Sequence, residues 1–190
     1  MNIEQELKLQ LNEYQYRKLT ESCGVTAVKQ VNYYFTADGL SQDVMVRVRH
    51  KADSFVLGYK RRIGTADGVY TSDERESTIP ADVAEQIITK GLSLPVAEHL
   101  LGVTLPCPVF CVGQLTTWRS KYLLGGMMVE VDKNEYLSIT DYELECESND
   151  VAKLNRLKSY LLAHYGVKCT PSLPKSYRFA QRAGQLKENN

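Results

Sequence analysis

Several short segments of this chain carry charged residues at every second position, and this alternation limits the folds open to it. Because neighbouring side chains of a strand point to opposite faces, Glu4, Glu6 and Lys8 would share one face of a first strand. The intervening positions are mostly apolar, as at Val46 and Val48. The later segments carry the pairs Arg47 and Arg49, Lys60 and Arg62, Glu74 and Glu76, Arg119 and Lys121, Glu130 and Asp132, and Glu143 and Glu145. A solvated sheet face explains one or two such strands, whereas this many predict a closed sheet with a charged interior.

Overall charge argues against several classes of partner. The 190 residues include 23 Lys and Arg and 23 Asp and Glu, so the formal net charge is zero, which disfavours nucleic-acid or membrane binding through bulk basicity. No apolar run approaches the roughly 18 residues that span a bilayer, and the first residues lack secretory-signal features. The cysteines show no zinc-site spacing. We therefore expect a cytoplasmic protein with reduced thiols and with neither nucleic acid nor a membrane as partner.

The predicted elements form two runs of antiparallel strands around a helical middle. Apolar periodicity and capping residues predict helices over 12–23, 80–91, 95–101 and 149–164. After the first strand, further strands are predicted over 28–36, 44–50, 55–62, 69–79, 109–115, 118–124, 127–132 and 138–147. Turns are expected at Gly125-Gly126 and at Asn134. A short basic tail follows, in which Arg178 and Arg182 are expected on a solvated helix face. This order predicts a single barrel.

The charge types on the inward positions indicate a specific chemistry. Carboxylates without His or Cys motifs favour a hard cation, Mg²⁺ or Mn²⁺, while Arg-x-Arg with Lys offers bidentate and point-charge contacts to phosphate. Together they describe a polyphosphate site, and the absence of P-loop and Rossmann glycine motifs excludes those two solutions. For any single pair, a cross-strand salt bridge on a wet face is the simpler explanation. So many charges in a narrow interior, however, need water, counter-ions or a ligand.

A family resemblance rests on these same segments. Glu4-x-Glu6-x-Lys8 resembles the ExExK signature of the CYTH, or triphosphate tunnel metalloenzyme, superfamily, in its small bacterial form. The companion motifs follow in the family's order over nearly the whole chain: Gln30–Phe35, Arg47–Arg49, Lys60, Glu74 and Glu76, Leu115–Arg119, Glu130 and Asp132, Tyr142–Glu145, and Lys175. One departure is Gly58-Tyr59, which replaces the usual residues before Lys60.

The resemblance implies an α+β fold, an eight-stranded antiparallel closed β-barrel (a tunnel) with helices packed outside, as one domain over residues 1–190. It implies Mg²⁺- or Mn²⁺-dependent hydrolysis of a triphosphate-containing small molecule, either inorganic triphosphate or a small organic one. The implied metal ligands are Glu4, Glu6, Glu130, Asp132, Glu143 and Glu145. The implied substrate-binding residues are Lys8, Arg47, Arg49, Lys60, Arg62, Arg119, Lys121 and Lys175, with catalytic roles for Glu4, Glu6 and Lys8.

Two other functions stay open at this point. A class IV-type adenylate cyclase would use the same phosphate clamp but would need an adenine pocket, for which the sequence offers no clear motif. A non-catalytic polyphosphate or nucleotide sensor would bind without turnover, although the intact carboxylate pairs argue against lost catalysis. Whether Glu74 and Glu76 act in the site or only pair with neighbouring cations is also open, as is homodimerisation.

Overall fold

The computed structural model describes residues 2–21, 23–66, 69–168 and 170–188, with side chains described between 5 and 186 in those ranges. The strands are β1 (Asn2–Leu11), β2 (Val28–Thr36), β3 (Val44–Lys51), β4 (Ser54–Ala66), β5 (Val69–Ile79), β6 (Phe110–Leu124), β7 (Met127–Tyr136) and β8 (Ile139–Glu147). The helices are α1 (Glu13–Glu21), α2 (Ala81–Lys90), α3 (Leu94–Leu101), α4 (Val151–Tyr165) and α5 (Lys175–Glu188).

The strands close into one antiparallel barrel in the order β1-β5-β4-β3-β2-β6-β7-β8. The register puts the predicted charged positions beside one another across strands, with Lys8 opposite Glu145 and Asp132 opposite Glu143. Because side chains alternate, a single register places all of these charges inside and the apolar set outside. The eight-stranded closed antiparallel barrel and the α+β class expected from the sequence are therefore confirmed.

The apolar outer face of the barrel is covered by helices in two patches. Helices α1 and α4 bury one patch of β1, β7 and β8, where Leu7, Val131 and Leu144 are fully buried against Leu157 and its neighbours. Helices α2 and α3 cover a second patch that includes Val46 and Val48. The hydrophobic core therefore lies outside the barrel wall, which leaves the interior to polar groups.

Helix α5 packs across one end of the barrel and is held there by Phe179. This side chain is fully buried, and its ring lies 5.5 Å from the Tyr34 ring and 6.1 Å from the Tyr136 ring. Gly113 on β6 makes room for it, since a Cβ there would approach the Phe179 ring to 2.9 Å. A fully buried Phe contributes about 3–5 kcal/mol relative to Ala, so α5 is firmly anchored.

Two sequence-based predictions of local structure are wrong. The break at Thr116-Thr117 does not occur, because β6 runs unbroken through these residues. Asn134 is not a turn but a buried strand residue; its amide is satisfied inside the barrel by Thr117, Asp141 and Glu143. The chain turns instead at 137–138, where both residues have positive φ. The basic tail is the helix α5.

Among the described residues, no helix has both the length and the apolar character needed to cross a membrane.

Candidate active site

The inward-facing charges surround a cavity of about 540 Å³ inside the barrel. All eight strands contribute to its wall, and the segment 174–177 at the start of α5 closes one side. A second cavity of about 320 Å³ adjoins it and shares Gln30, Arg49, Arg119 and Glu130, with Lys51 at its edge. The barrel interior is thus a hollow polar space, and it is large enough for a small-molecule ligand.

The most buried part of this interior holds three carboxylates. Asp132 on β7 and Glu143 and Glu145 on β8 each offer an oxygen, and these oxygens all lie within 4.8 Å of one another. We call these three residues the carboxylate cluster. The Lys175 ammonium, at the first residue of α5, lies 2.9 Å from an oxygen of Asp132 and 2.9 Å from one of Glu145, and it also pairs with Glu143.

The surrounding cations keep Asp132 and Glu145 ionised. Burial raises the pKa of Glu145, but Lys175, Lys8 and Arg119 outweigh it and hold that pKa well below its usual value. The pKa of Asp132 is lowered for the same reason, with Lys175 and Arg119 opposing the effect of burial. Burial also acts on Lys175, yet the three carboxylates raise its pKa. Asp132, Glu145 and Lys175 are therefore charged at neutral pH.

A chain of ion pairs links the cluster to β1 and β4. The Lys8 ammonium contacts Glu145 and lies 2.8 Å from Glu6, whose other oxygen is 3.1 Å from the Lys60 ammonium. Lys60 also pairs with Glu74. Burial and Glu145 raise the pKa of Glu6, but Lys8 and Lys60 outweigh them and the pKa is lowered overall. This arrangement makes Lys8 a fixed positive charge and Glu6 a fixed negative one.

Arg119 joins the cluster from β6. It makes two parallel contacts to Asp132, at 2.9 and 2.6 Å, lies 2.7 Å from Glu145, and also pairs with Glu130. Glu130 accepts a second bond of 2.8 Å from Lys121, whose side chain is 58% exposed. The bidentate geometry suits a carboxylate or a phosphate equally well.

Arg49 differs from the other cations of the cavity. Its side chain donates to the Asn32 amide oxygen at 3.1 Å, and no described carboxylate lies within 4 Å of it. Burial, followed by the neighbouring charges of Arg47 and Arg119, lowers the pKa of Arg49 to about 10. Arg49 thus stays charged at neutral pH without an ion-pair partner among the described residues, which is an unfavourable arrangement for a partly buried cation.

The other predicted binding residues lie around this centre. Arg47 is 3.2 Å from Glu76, and Arg62 donates to Asp43 at 2.8 Å near the edge of the cavity. Glu76 thus pairs with Arg47 and Glu74 with Lys60. Both glutamates also line the cavity. Arg62 and Lys121 are more exposed than the inner cations.

Of the six predicted metal ligands, three form the carboxylate cluster, two lie beside it, and the side chain of one is not described. Asp132, Glu143 and Glu145 come together, whereas Glu6 is joined to them through Lys8 and Glu130 through Arg119. The Glu4 side chain lies outside the described residues; only its backbone pairing with Ser72 is defined. A cluster of oxygen donors without His or Cys fits Mg²⁺ or Mn²⁺ by donor type.

Sequence reasoning missed part of the site, above all Arg178. This arginine was expected to face solvent, but it lies 3.1 Å from Glu143 and donates to Ser172 at 2.8 Å, with its side chain only 11% exposed. It comes from α5, one helical turn after Lys175. That spacing puts both cations on one helix face. The sequence therefore carried the signal, but the face was assigned to solvent and not to the barrel interior.

Comparison with known proteins finds one matching sequence family and several solved structures with the same fold. The sequence model of the CYTH domain matches residues 2–177, while no curated protein is detectably similar in sequence. Among solved structures, an adenylyl cyclase candidate from Hippeastrum with a dominant triphosphatase activity is 22% identical, with a TM-score of 0.76 over 94% of this chain and 95% of that one.

Two further structures share the fold. An adenylate cyclase candidate from Bacillus halodurans is 20% identical, with a TM-score of 0.75 over 94% of this chain and 99% of that one. The PH1012 protein of Pyrococcus horikoshii is 18% identical, with a TM-score of 0.61 over 93% of this chain and 98% of that one. At these identities the likeness concerns the fold alone.

Proposed function

This chain belongs to the CYTH domain family, and from that membership and the charges of its tunnel we propose that it hydrolyses a triphosphate with the help of Mg²⁺ or Mn²⁺. The substrate is inorganic triphosphate or a small organic triphosphate. The observation that carries this proposal is Arg49, a partly buried cation that lines the cavity and has no carboxylate partner among the described residues. A phosphate oxygen would supply the counter-charge that no described carboxylate provides.

The phosphate chain would lie between the inner cations. Arg47, Arg49 and Arg119 come from β3 and β6, and Lys8 and Lys60 from β1 and β4, so the cations surround the cavity rather than line one wall. Guanidinium groups bind phosphate oxygens through paired N–H donors, and lysines act as point charges. A ligand held from several sides is positioned for in-line attack on its terminal phosphorus.

The carboxylate cluster, with Glu6 and Glu130 nearby, would hold the divalent ion. When bound, Mg²⁺ or Mn²⁺ would offset charge on the phosphate oxygens and help to activate water. The protein's own cations would do the rest. Arg49 and Arg119 would stabilise the negative charge of the terminal phosphoryl group as it is transferred, and Lys8 would keep Glu6 and Glu145 fixed. Fixed charges in a buried site need no reorganisation during reaction.

Conversion of ATP to cyclic AMP is the second candidate, and one observation favours it. Besides its charged residues, the cavity wall includes Val44, Met45, Pro174 and Tyr177. These side chains offer apolar and aromatic surface on which a nucleoside could rest. The hydrolase remains our proposal because it requires only the charged lining, whereas the cyclase also requires a nucleoside pocket.

Product analysis separates the two functions. We expect Mg²⁺- or Mn²⁺-dependent phosphate release from inorganic triphosphate, and the same assay with ATP and thiamine triphosphate will rank the substrates. Each ATP reaction is analysed for cyclic AMP in parallel, and each substrate is incubated with chelator as control. Cyclic AMP without phosphate release would replace the hydrolase by the cyclase. Metal-dependent binding without either product would favour a sensor.

A further inference from the structure

Lys175 occupies the centre of the carboxylate cluster. Of the described cations, it alone contacts all three members, Asp132, Glu143 and Glu145. It has no ion pair outside the cluster among the described residues, whereas Lys8 also binds Glu6 and Arg178 also binds Asp141. An ammonium ion that is surrounded by three carboxylate oxygens stands where a metal ion bound by the same oxygens would stand.

The space between these oxygens does not admit both ions. The three carboxylates of the cluster are already contacted by four cations, namely Lys8, Arg119, Lys175 and Arg178. Lys8, Arg119 and Arg178 also pair with carboxylates outside the cluster. The Lys175 ammonium instead lies between the same oxygens that would bind a divalent ion, and two positive charges this close in a buried site repel each other strongly. One cation therefore has to leave the cluster before the metal can bind tightly.

Lys175 is the cation best able to leave. Arg119 is fixed by its bidentate contact to Asp132, while a lysine ammonium sits on a flexible stem without a preferred fork geometry. Lys175 also lines the main cavity, so its side chain has space to turn towards it. Phe179, four residues further along α5, is fully buried. The helix can therefore stay in place while the lysine side chain moves.

We propose that Lys175 and the divalent ion are alternative occupants of the carboxylate cluster, and that binding of the ion releases the Lys175 ammonium towards the phosphates of the substrate. In the metal-free protein, Lys175 would neutralise the carboxylate cluster. In the protein with bound metal, it would bind the phosphates of the substrate. The inference rests on the metal requirement of the proposed function. It further implies that metal and triphosphate favour each other's binding, because the first to bind frees the group used by the second.

The test is the affinity for Mn²⁺ alone, measured by calorimetry or by the electron paramagnetic resonance of free Mn²⁺ without any substrate. We expect Lys175→Met to bind Mn²⁺ at least about tenfold more tightly than the wild type, because a positive charge next to the ion is removed. Arg182→Gln, a change of cation on the same helix away from the cluster, should leave the affinity unchanged, and Lys175→Arg, which keeps the charge, should show no gain. Unchanged or weaker binding by Lys175→Met would overturn the proposal.

A second measurement uses the wild-type protein, so its result does not depend on whether a variant folds. Mn²⁺ should increase the rate at which Lys175 is modified by an amine-reactive reagent, as read by mass spectrometry, with Lys29 on the outside of the barrel as internal reference. Slower or unchanged modification in the presence of bound Mn²⁺ would contradict the exchange. Neither readout involves turnover, so either can succeed while the proposed hydrolysis fails.

Discussion

The variant Arg49→Met is expected to lose triphosphate hydrolysis while it keeps or gains thermal stability. The partly buried guanidinium lacks a carboxylate partner among the described residues, and burial with the nearby Arg47 and Arg119 lowers its pKa to about 10. Its charge is therefore unfavourable for the free protein and useful only to a bound anion. We expect kcat/KM for phosphate release to fall about 10²- to 10³-fold, and the Tm without ligand to stay the same or rise.

A matched control for this variant lies on the outer face of β4. Arg61 is half exposed, and its ion pair with Asp73 is long, at 3.9 Å. Arg61→Gln should therefore leave both activity and Tm nearly unchanged. A clear drop in the Tm of Arg49→Met would show that Arg49 has a structural role. Full activity in that variant would remove the observation on which the proposed function depends.

Glu145→Gln is expected to have the largest combined effect on activity and stability. Glu145 is buried and contacts three cations, Lys8, Arg119 and Lys175. Loss of its charge leaves these cations with too few carboxylates, and removal of one partner from a buried ion pair costs about 3–5 kcal/mol. We expect the free energy of unfolding in urea to fall by about that amount and metal-dependent phosphate release to be lost.

Glu135 on β7 provides the comparison for this second variant. It is 42% exposed and pairs with Lys133 at 2.7 Å, so Glu135→Gln should cost between about 0 and 1 kcal/mol. If Glu145→Gln proves as stable as Glu135→Gln and still hydrolyses triphosphate, the ion pairs around Glu145 contribute neither to stability nor to catalysis.

The period-two charge pattern was enough to predict the barrel and its charged interior. Strand register follows from which face must be buried, so residues such as Val46, Val48 and Leu144 determined the side on which Arg47, Arg49 and Glu145 would lie. The same logic placed Glu6, Lys8 and Lys60 inside. The family motifs added the number of strands and the inclusion of Lys175.

Tertiary contacts explain what the sequence did not reveal. Asn134 is typical of turns, but here its backbone pairs with β6 and β8, and its side chain bonds to Thr117 and Glu143 inside the barrel. The residues of α5 are polar on average, so the sequence did not show that its basic face turns towards the barrel. Phe179 packs the helix against the barrel end, and Lys175 and Arg178 pair with the carboxylate cluster. Which carboxylates would gather around Lys175 depends on side-chain reach, which periodicity does not report.

The central claim is that a triphosphate binds inside the barrel against Arg49. A crystal structure of the protein with Mn²⁺ and a non-hydrolysable imido analogue of triphosphate tests it most directly. We predict phosphate oxygens within about 2.7–3.1 Å of the Arg49 guanidinium, with Mn²⁺ held by the carboxylate cluster. An analogue bound outside the barrel, or inside it but away from Arg49, would contradict the account.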